Sequence, residues 1–215
     1  MTLLSTTYFG PVQWYQKLYC AEEVQIERWE SFQKQTYRNR CLIATTNGVQ
    51  ALTVPVVRSQ ENTNTIKDLR ISDHGNWRHL HWNALKSAYG ESPFFDYYQD
   101  DIRPFFEKRW EFLLDFNEEI RQKMCELIDF QPKVSYSLEW KVESGEFAGL
   151  DFREAIRPKH PAPDPDFTPR PYYQVYQQKH GFLPNLSILD LLFNMGPESI
   201  FFLSSNNHNQ THSLR

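Results

Sequence analysis

Residues 34–57 constrain the fold of this chain more than any other stretch. They contain Asn47-Gly48, the strongest short-range hairpin signal that a sequence offers, because a type I′ turn needs positive φ at both central residues. The runs on either side of this dipeptide are rich in Leu, Ile, Val and Thr, which favour strands. The sequence therefore predicts two antiparallel strands that meet at a tight turn.

The register of this hairpin decides which side chains share a face. A two-residue loop at Asn47-Gly48 places Thr46 opposite Val49. One face then carries four apolar residues, Cys41, Ile43, Leu52 and Val54. The other face is also mostly apolar, so we expect the hairpin to lie in the interior of a sheet. Pro55 cannot donate a ladder hydrogen bond, and regular pairing should end near it.

A basic cluster leads into the first of these strands. Lys34, Arg38 and Arg40 are its cations, and Tyr37 and Asn39 lie between them. Two interpretations stay open at this point. The cluster is a solvated strand entrance, or its guanidinium groups bind a phosphate or carboxylate through two hydrogen bonds at once.

The composition excludes several classes of protein. The 215 residues are 40% hydrophobic and 15% aromatic, which allows a sizeable core and an aromatic-lined surface or pocket. The net charge of −4 gives no electrostatic reason to expect binding to nucleic acid or to an anionic membrane. We find no apolar run as long as a membrane span and no signal peptide. Three scattered cysteines show neither metal-site spacing nor a disulfide framework, so we predict a reduced, cytoplasmic protein.

The remaining pattern predicts an α/β fold, with a mixed β-sheet covered by α-helices. Besides the hairpin, strands are expected at 3–9, 24–28, 65–72 and 134–141. Helices are expected at 12–19, 77–89, 94–98, 172–180 and 188–195, with a further helix that begins near 115. The sheet should therefore contain about five or six strands, most of them from the N-terminal third.

Capping signals mark several helix ends. Asn76 is expected to cap the helix at 77–89, and Asp115 with Glu118 has the pattern of a capping box. Ser187 is expected to cap the helix at 188–195 by accepting a hydrogen bond from the backbone N–H of Asp190.

Six prolines between residues 158 and 171 predict an extended, polyproline-like segment. We interpret it as a strap across one domain rather than a linker, because too little chain follows it to form an independent core. The sequence thus predicts a single domain over residues 1–203. The polar residues 204–215 are predicted to be a disordered tail.

His81 is the candidate for acid–base chemistry. It lies on the apolar side of its predicted helix, four residues from Trp77 and beside Tyr89, whereas His79 faces the other way. The two histidines therefore cannot share a metal ion, and we expect no metal site. His81 is either a core histidine with both nitrogens satisfied or a general acid or base. Cys41 is a poor nucleophile to pair with it, since it should be a small buried hydrophobe at a strand centre.

The order and spacing of these motifs resemble those of the WbqC-like family, over residues 3 to about 198. The resemblance is carried by Lys34 with Arg38-Asn39-Arg40, LTVPV at 52–56, Trp77, His81, Tyr89, SPFF at 92–95 and LSILDLLFNMGP at 186–197. The family often opens with Gln-Pro-x-Tyr-x-Pro. The corresponding segment here, STTYFGP at 5–11, lacks the Gln but keeps Tyr8.

The resemblance implies a function in surface-polysaccharide biosynthesis, because such proteins are encoded in O-antigen and similar clusters. We infer a group-transfer enzyme that acts on a sugar, a nucleotide sugar or an amine. The matching positions assign catalysis to His81, Asn39 and Tyr89, with His81 as general base. They assign substrate binding to five residues, Tyr8, Lys34, Arg40, Asp190 and Asn194. Lys34 and Arg40 would hold an anionic group of the substrate.

The alternative is a non-catalytic ligand-binding or scaffold protein of the same pathway. The two hypotheses differ over His81, which an enzyme needs titratable and reachable from a cleft, whereas a scaffold needs it only packed. Both hypotheses imply a small anionic or sugar ligand, and neither implies a cofactor, nucleic acid or membrane insertion. Whether the chain forms an oligomer stays open.

Overall fold

The computed structural model describes residues 1–57, 65–140 and 150–204 of the chain. Its first sheet is parallel and three-stranded, with the order β1 (Thr2–Ser5), β2 (Val24–Glu27) and β7 (Val134–Tyr136). Helix α1 (Val12–Cys20) connects β1 to β2, as parallel strands need a crossover rather than a tight turn. All four residues of β1 are buried, so this sheet lies within the core.

The predicted hairpin is present as β3 (Arg40–Thr45) and β4 (Gly48–Thr53), but its register differs by two residues. Thr45 pairs with Gly48, which leaves Thr46 and Asn47 as the turn. Gly48 has φ of 102°, whereas neither turn residue is among the described residues with positive φ. The loop is therefore not the expected type I′ turn, since its positive-φ glycine follows the two turn residues.

A two-residue shift preserves the alternation of side chains, so the predicted buried face is confirmed. Its four residues are almost fully buried: Cys41, Ile43, Leu52 and Val54. The expectation of an interior position was wrong, because β3 and β4 form a two-stranded sheet of their own. The outer face of β4 is open to solvent, with Val49 51% exposed.

The strand predicted at 65–72 is mostly replaced by a 3₁₀ turn, Ile66–Asp68. Ile66 and Leu69 are both buried, and their spacing of three suits a 3₁₀ turn rather than the two-residue period of a strand. Only β6 (Arg70–Ile71) is extended, and it pairs with β5 (Val56–Val57) in a third small sheet. The strands of the described residues thus divide into three sheets rather than one.

Four helices occupy the middle of the chain: α2 (Trp77–Tyr89), α3 (Phe95–Ile102), α4 (Pro104–Glu107) and α5 (Leu113–Ile128). Helix α2 has the predicted bounds, but Asn76 has φ of 47° and its side chain makes no capping bond. Helix α5 begins two residues before the predicted capping box, with Phe112 at the N-cap. Glu118 instead accepts hydrogen bonds from Arg121 and Tyr136, so the capping-box prediction was wrong.

The C-terminal part contains α6 (Gln177–His180) and α7 (Ile188–Met195), followed by a 3₁₀ segment, Gly196–Phe202. The helix predicted at 172–180 is therefore only four residues long. Tyr172 and Gln174 are buried and Tyr173 is exposed, which is the alternation of extended chain. The first seven residues of α7 are buried, so this helix lies inside the core.

The proline-rich residues 158–171 contain neither helix nor strand and contact α1 through Asp164. The Asp164 carboxylate accepts from Gln13 Nε2 and from Lys17 Nζ, each at 2.8 Å. That the chain is one domain with this segment as a strap stays a prediction. The tail predicted to be disordered lies outside the described residues from residue 205 onward.

Helices from each part of the described chain pack with the parallel sheet and the hairpin in one hydrophobic cluster. The predicted α/β class, with parallel and antiparallel strands and covering helices, is confirmed. None of the helices within the described ranges combines the length and the apolar character that a bilayer span requires.

Candidate functional site

Polar side chains gather where the parallel strands end. Ser5 closes β1 and Glu27 closes β2, while Ser137 directly follows β7. Ser137 Oγ donates to Glu27 Oε1 over 2.6 Å, and the backbone N–H of Trp29 donates to the same oxygen over 2.8 Å. Ligands of open parallel sheets bind at the carboxyl ends of the strands, so this edge is a candidate site.

Arg38 belongs to this edge rather than to solvent. Its Nε donates to Glu30 Oε1 over 2.7 Å, and its Nη2 donates to Glu30 Oε2 and, over 2.8 Å, to Ser5 Oγ. Arg38 and Glu30 are each only 3% exposed. A protein carboxylate therefore neutralises one of the three cations of the predicted basic cluster.

The other two cations have no such partner. Lys34 is exposed and Arg40 is half-buried. Arg40 Nε donates to Thr53 Oγ1 over 3.0 Å, which is a neutral acceptor. In the described part of the chain, neither Lys34 nor Arg40 forms an ion pair with a carboxylate. Both cations could thus pair with an anionic ligand.

His81 is packed in the core. It is 6% exposed, and its Nδ1 lies 2.9 Å from the hydroxyl of Tyr8. Burial lowers the pKa of His81 to about 4, and the backbone of Thr53 acts in the opposite sense. His81 is therefore neutral at pH 7.

Asp190 lies at the centre of a second polar cluster. It is 0% exposed, and its Oδ1 accepts from the Tyr89 hydroxyl over 2.9 Å. Its Oδ2 accepts from the Tyr172 hydroxyl over 2.7 Å and from Gln174 Nε2 over 2.8 Å. Burial raises the pKa of Asp190, while these three hydrogen bonds lower it. Because the Tyr89 hydroxyl also accepts from the Ala44 amide, the cluster ties α2, β3 and α7 to residues 172–174.

The predicted asparagines also hold backbone together. Asn39 Nδ2 donates to the Val54 carbonyl over 2.8 Å, beyond the last pair of the hairpin. Asn194 Nδ2 donates to the Asp190 carbonyl over 2.7 Å. Within the described chain, the amide oxygens of both residues are buried without a partner.

Ser187 caps α7, although not through the predicted bond. Its hydroxyl accepts from the backbone N–H of Leu189 rather than of Asp190, and it donates to the Phe9 carbonyl over 2.8 Å. Asp190 lies in the first turn of α7, as predicted.

The predicted site residues therefore fall into two groups along β3. Tyr8, Asn39, Arg40 and His81 lie around its first residues, where Arg40 bonds to Thr53 and His81 lies near the Thr53 backbone. Tyr89 bonds to Ala44 and to Asp190, and Asn194 lies one turn after Asp190 on α7. Arg40 and Ala44 are four strand residues apart, about 13 Å. The exposed Lys34 bonds to neither group in the described structure.

The structure also bears on nucleophilic and metal chemistry. Cys41 is fully buried, and this burial raises the pKa of its thiol far above the usual range. It is therefore no thiolate nucleophile at neutral pH. Among the described residues, no three His, Cys, Asp or Glu side chains are arranged to hold a metal ion.

Two features of this edge were missed in the sequence. Glu27 and Glu30 were not predicted as site residues. Glu27 is the last residue of β2, and Glu30 follows that strand by three residues. An acidic residue at the carboxyl end of a buried parallel strand is the signal that could have identified them.

Comparisons with known proteins give a relative of the chain and its family. The chain is 27% identical over 197 residues to a protein of Mycobacterium tuberculosis described as "Uncharacterized protein Rv1507c". This match covers 80% of the chain and 83% of the mycobacterial protein. No solved structure gives a significant match. Residues 6–152 and 164–201 match the WbqC-like protein family, and the chain belongs to that family.

Proposed function

We propose that this protein is a group-transfer enzyme of surface-polysaccharide, O-antigen-type biosynthesis, acting in the cytoplasm on a small sugar, nucleotide-sugar or amine substrate. The observation that carries the proposal is Arg40, a half-buried guanidinium that bonds only to a neutral hydroxyl among the described residues. A planar fork of this kind binds a phosphate or carboxylate through two parallel hydrogen bonds. Lys34, exposed nearby in sequence, adds positive charge for an anionic ligand.

The transferred group would be an acyl or aminoacyl group from an activated donor. A new C–N or C–O bond forms to an amine or hydroxyl of the sugar, and the bond between donor carbonyl and leaving group breaks. The proton of the attacking group leaves with the leaving group. His81 is not assigned the role of base, because it is 6% exposed, its Nδ1 lies against the Tyr8 hydroxyl and burial lowers its pKa to about 4. It acts as a positioning residue that holds Tyr8 beside the start of β3.

Anion binding at Arg40 is the first test. Millimolar phosphate or sulfate should raise the melting temperature of the wild-type protein, and high chloride should reduce this shift by screening. Arg40→Lys should reduce the shift although the charge remains, because the planar fork is lost. Arg70→Lys is a matched control, since Arg70 is an exposed arginine paired with Glu111. A shift in Arg40→Ala as large as that of the wild type would withdraw the main support for this proposal.

A second candidate function is a non-catalytic ligand-binding or scaffold role in the same pathway. His81 favours it, because this residue is packed and neutral rather than titratable and reachable. Incubation with amino-sugar nucleotides and acyl or aminoacyl donors, followed by mass spectrometry, separates the two. Mass gain on the sugar that depends on Arg40 supports the enzyme. Anion stabilisation without any turnover supports the binding protein.

A further inference from the structure

A cavity of about 410 Å³ lies on the outer side of α2, beside α4. Nine residues line it: Asp73, Asn76, Arg78, His79, Trp82, Arg103, Phe106, Glu107 and Arg109. Lys34 and Arg40 are not in this set, so the cavity is distinct from the anion site proposed above. Its size is within the range of small-molecule pockets.

The lining carries more positive than negative charge. Its three arginines face two carboxylates, Asp73 and Glu107. Arg103 Nε donates to Glu107 Oε1 over 2.6 Å, and Arg78 Nη1 donates to Asp73 Oδ1 over 2.7 Å. Arg109 Nη1 is 3.5 Å from the second oxygen of Asp73, and its side chain is 84% exposed. One guanidinium is thus in excess among these residues.

Arg78 has two hydrogen-bond donors without an acceptor. Its Nε and Nη2 are buried, and no group in the described residues accepts from either. Nε and Nη2 form one edge of the guanidinium, and their N–H bonds point the same way. Burying such donors unpaired costs free energy, so this edge favours an oxyanion that accepts from both.

This edge has a filled counterpart in the same protein. Arg38 uses its own Nε and Nη2 to bind the two carboxylate oxygens of Glu30. The Asp73 carboxylate, in contrast, bonds to the far nitrogen of Arg78, Nη1, and leaves the Nε–Nη2 edge free. The indole ring of Trp77 covers the Arg78 guanidinium at 4.6 Å and helps to fix its plane.

The start of α2 contributes a second favourable feature. Helix α2 has 13 residues, and Arg78 is its second residue. The side chain of Asn76 does not cap the first-turn amides of α2. The positive end of the helix dipole lies there and stabilises a nearby anion. Trp82, one turn further along α2, adds a half-buried aromatic wall that is stacked on Phe95.

We propose that this cavity binds the phosphate group of a phosphorylated small molecule, a sugar phosphate or a nucleotide. Arg78 turns its Nε–Nη2 edge, which is buried in the ligand-free protein, into the cavity, and two phosphate oxygens accept from it. Arg103 and Arg109 approach the same group from the rim, and the organic part of the ligand packs against Trp82. This inference does not rest on the proposed function, because no residue assigned to that function lines the cavity.

Isothermal titration with inorganic phosphate, glucose 1-phosphate and UMP tests the proposal. Arg78→Lys keeps the charge and removes the two-donor edge, so it should weaken phosphate binding about tenfold. Arg70→Lys, the same change in an exposed ion pair outside the cavity, should leave the affinity unchanged. Trp82→Ala should weaken UMP or glucose 1-phosphate more than inorganic phosphate. The ligand, UMP or glucose 1-phosphate, whose binding Trp82→Ala weakens more shows which kind of organic group packs against Trp82.

A second variant guards against a folding defect at Arg78. Arg109→Gln alters a side chain that is 84% exposed, and it should weaken phosphate binding by about two- to threefold without affecting the fold. The proposal is overturned if the wild-type protein does not bind phosphate at about 20 mM, which is on the order of the Kd of a weak site. It is also overturned if Arg78→Lys binds as tightly as Arg70→Lys. Phosphate binding that is lost in Arg40→Lys but retained in Arg78→Lys assigns the anion to the other site.

Discussion

Arg38 and Arg78 present the same guanidinium edge in two different surroundings. At Arg38 the edge binds the carboxylate of Glu30, and Ser5 adds a further acceptor. At Arg78 the same two nitrogens are buried without an acceptor in the described chain. The first arrangement joins the loop after β2 to the end of β1. The second leaves unsatisfied donors in a cavity, so the same residue type stabilises the fold in one place and offers a binding edge in the other.

The largest expected effect is at Arg38. Arg38→Met leaves the Glu30 carboxylate buried without its cation, which should lower the free energy of unfolding by about 3–5 kcal/mol. Urea denaturation at pH 7 measures this loss. The double variant Arg38→Met with Glu30→Gln should recover much of it, because no uncompensated charge then remains. A loss below about 1 kcal/mol in the single variant would show that Glu30 reaches water or another donor, against the comparison.

Asp190 tests whether a buried carboxylate needs a cation as its partner in order to stabilise the fold. This carboxylate is buried among neutral donors only, the hydroxyls of Tyr89 and Tyr172 and the amide of Gln174. Asp190→Ala leaves these donors unpaired and should cost about 3 kcal/mol in urea denaturation. Tyr172→Phe removes one donor and should cost about 1 kcal/mol. If Asp190→Ala is no more costly than Tyr172→Phe, the cluster does not stabilise the core and its functional assignment returns.

The helix and hairpin patterns could be predicted from the sequence because they are local. Helix α2 has the predicted bounds, and the buried face of the hairpin is the predicted one. The predicted register was wrong, because the type of turn depends on which residue adopts positive φ. Gly48 adopts positive φ directly after the two turn residues and not within the turn.

The state of the site residues could not be predicted, because it depends on partners from distant parts of the chain. His81 was placed correctly on the inward side of α2, but its hydrogen-bond partner is Tyr8, 73 residues earlier in the chain. The partner of Arg38 could equally have been a substrate. The hydrophobic periodicity of α2 does not mark Arg78 as a binding residue. That role is inferred only because Asp73 accepts from Nη1 of Arg78 and leaves Nε and Nη2 without an acceptor.

The free energy of unfolding should depend on pH through His81. The pKa of His81 is about 4 in the folded protein and 6.5 in an unfolded chain. Between these values the unfolded state binds more protons, so the contribution of His81 is complete above about pH 6.5 and is lost as the pH falls towards 4. Going from pH 7 to pH 5 should cost the wild-type protein about 2 kcal/mol through this residue.

The control for this pH effect is a pair of variants. His81→Gln should lose the pH 5 to pH 7 difference, whereas His79→Gln, at an exposed position, should keep it. The comparison is made between variants because Asp190, whose pKa burial raises, acts in the opposite sense at acidic pH. An unchanged pH profile in His81→Gln would mean that His81 titrates normally, which would restore it as a candidate base.

The smallest expected effect is at Arg78 and gives the comparison its sharpest test. Arg78→Met removes two unpaired donors, which is favourable, and loses a solvent-screened pair with the exposed Asp73 and the contact with Trp77. In phosphate-free buffer the free energy of unfolding should therefore change by less than about 1 kcal/mol. Arg121→Met, which strands the mostly buried Glu118, should cost on the order of 3 kcal/mol. Adding phosphate should stabilise Arg78→Met less than the wild type, because the variant lacks the gain by mass action from the cavity and keeps only that from Arg40. A large loss in phosphate-free buffer would show that the Nε–Nη2 edge is already satisfied, and Arg78 would then be a second Arg38.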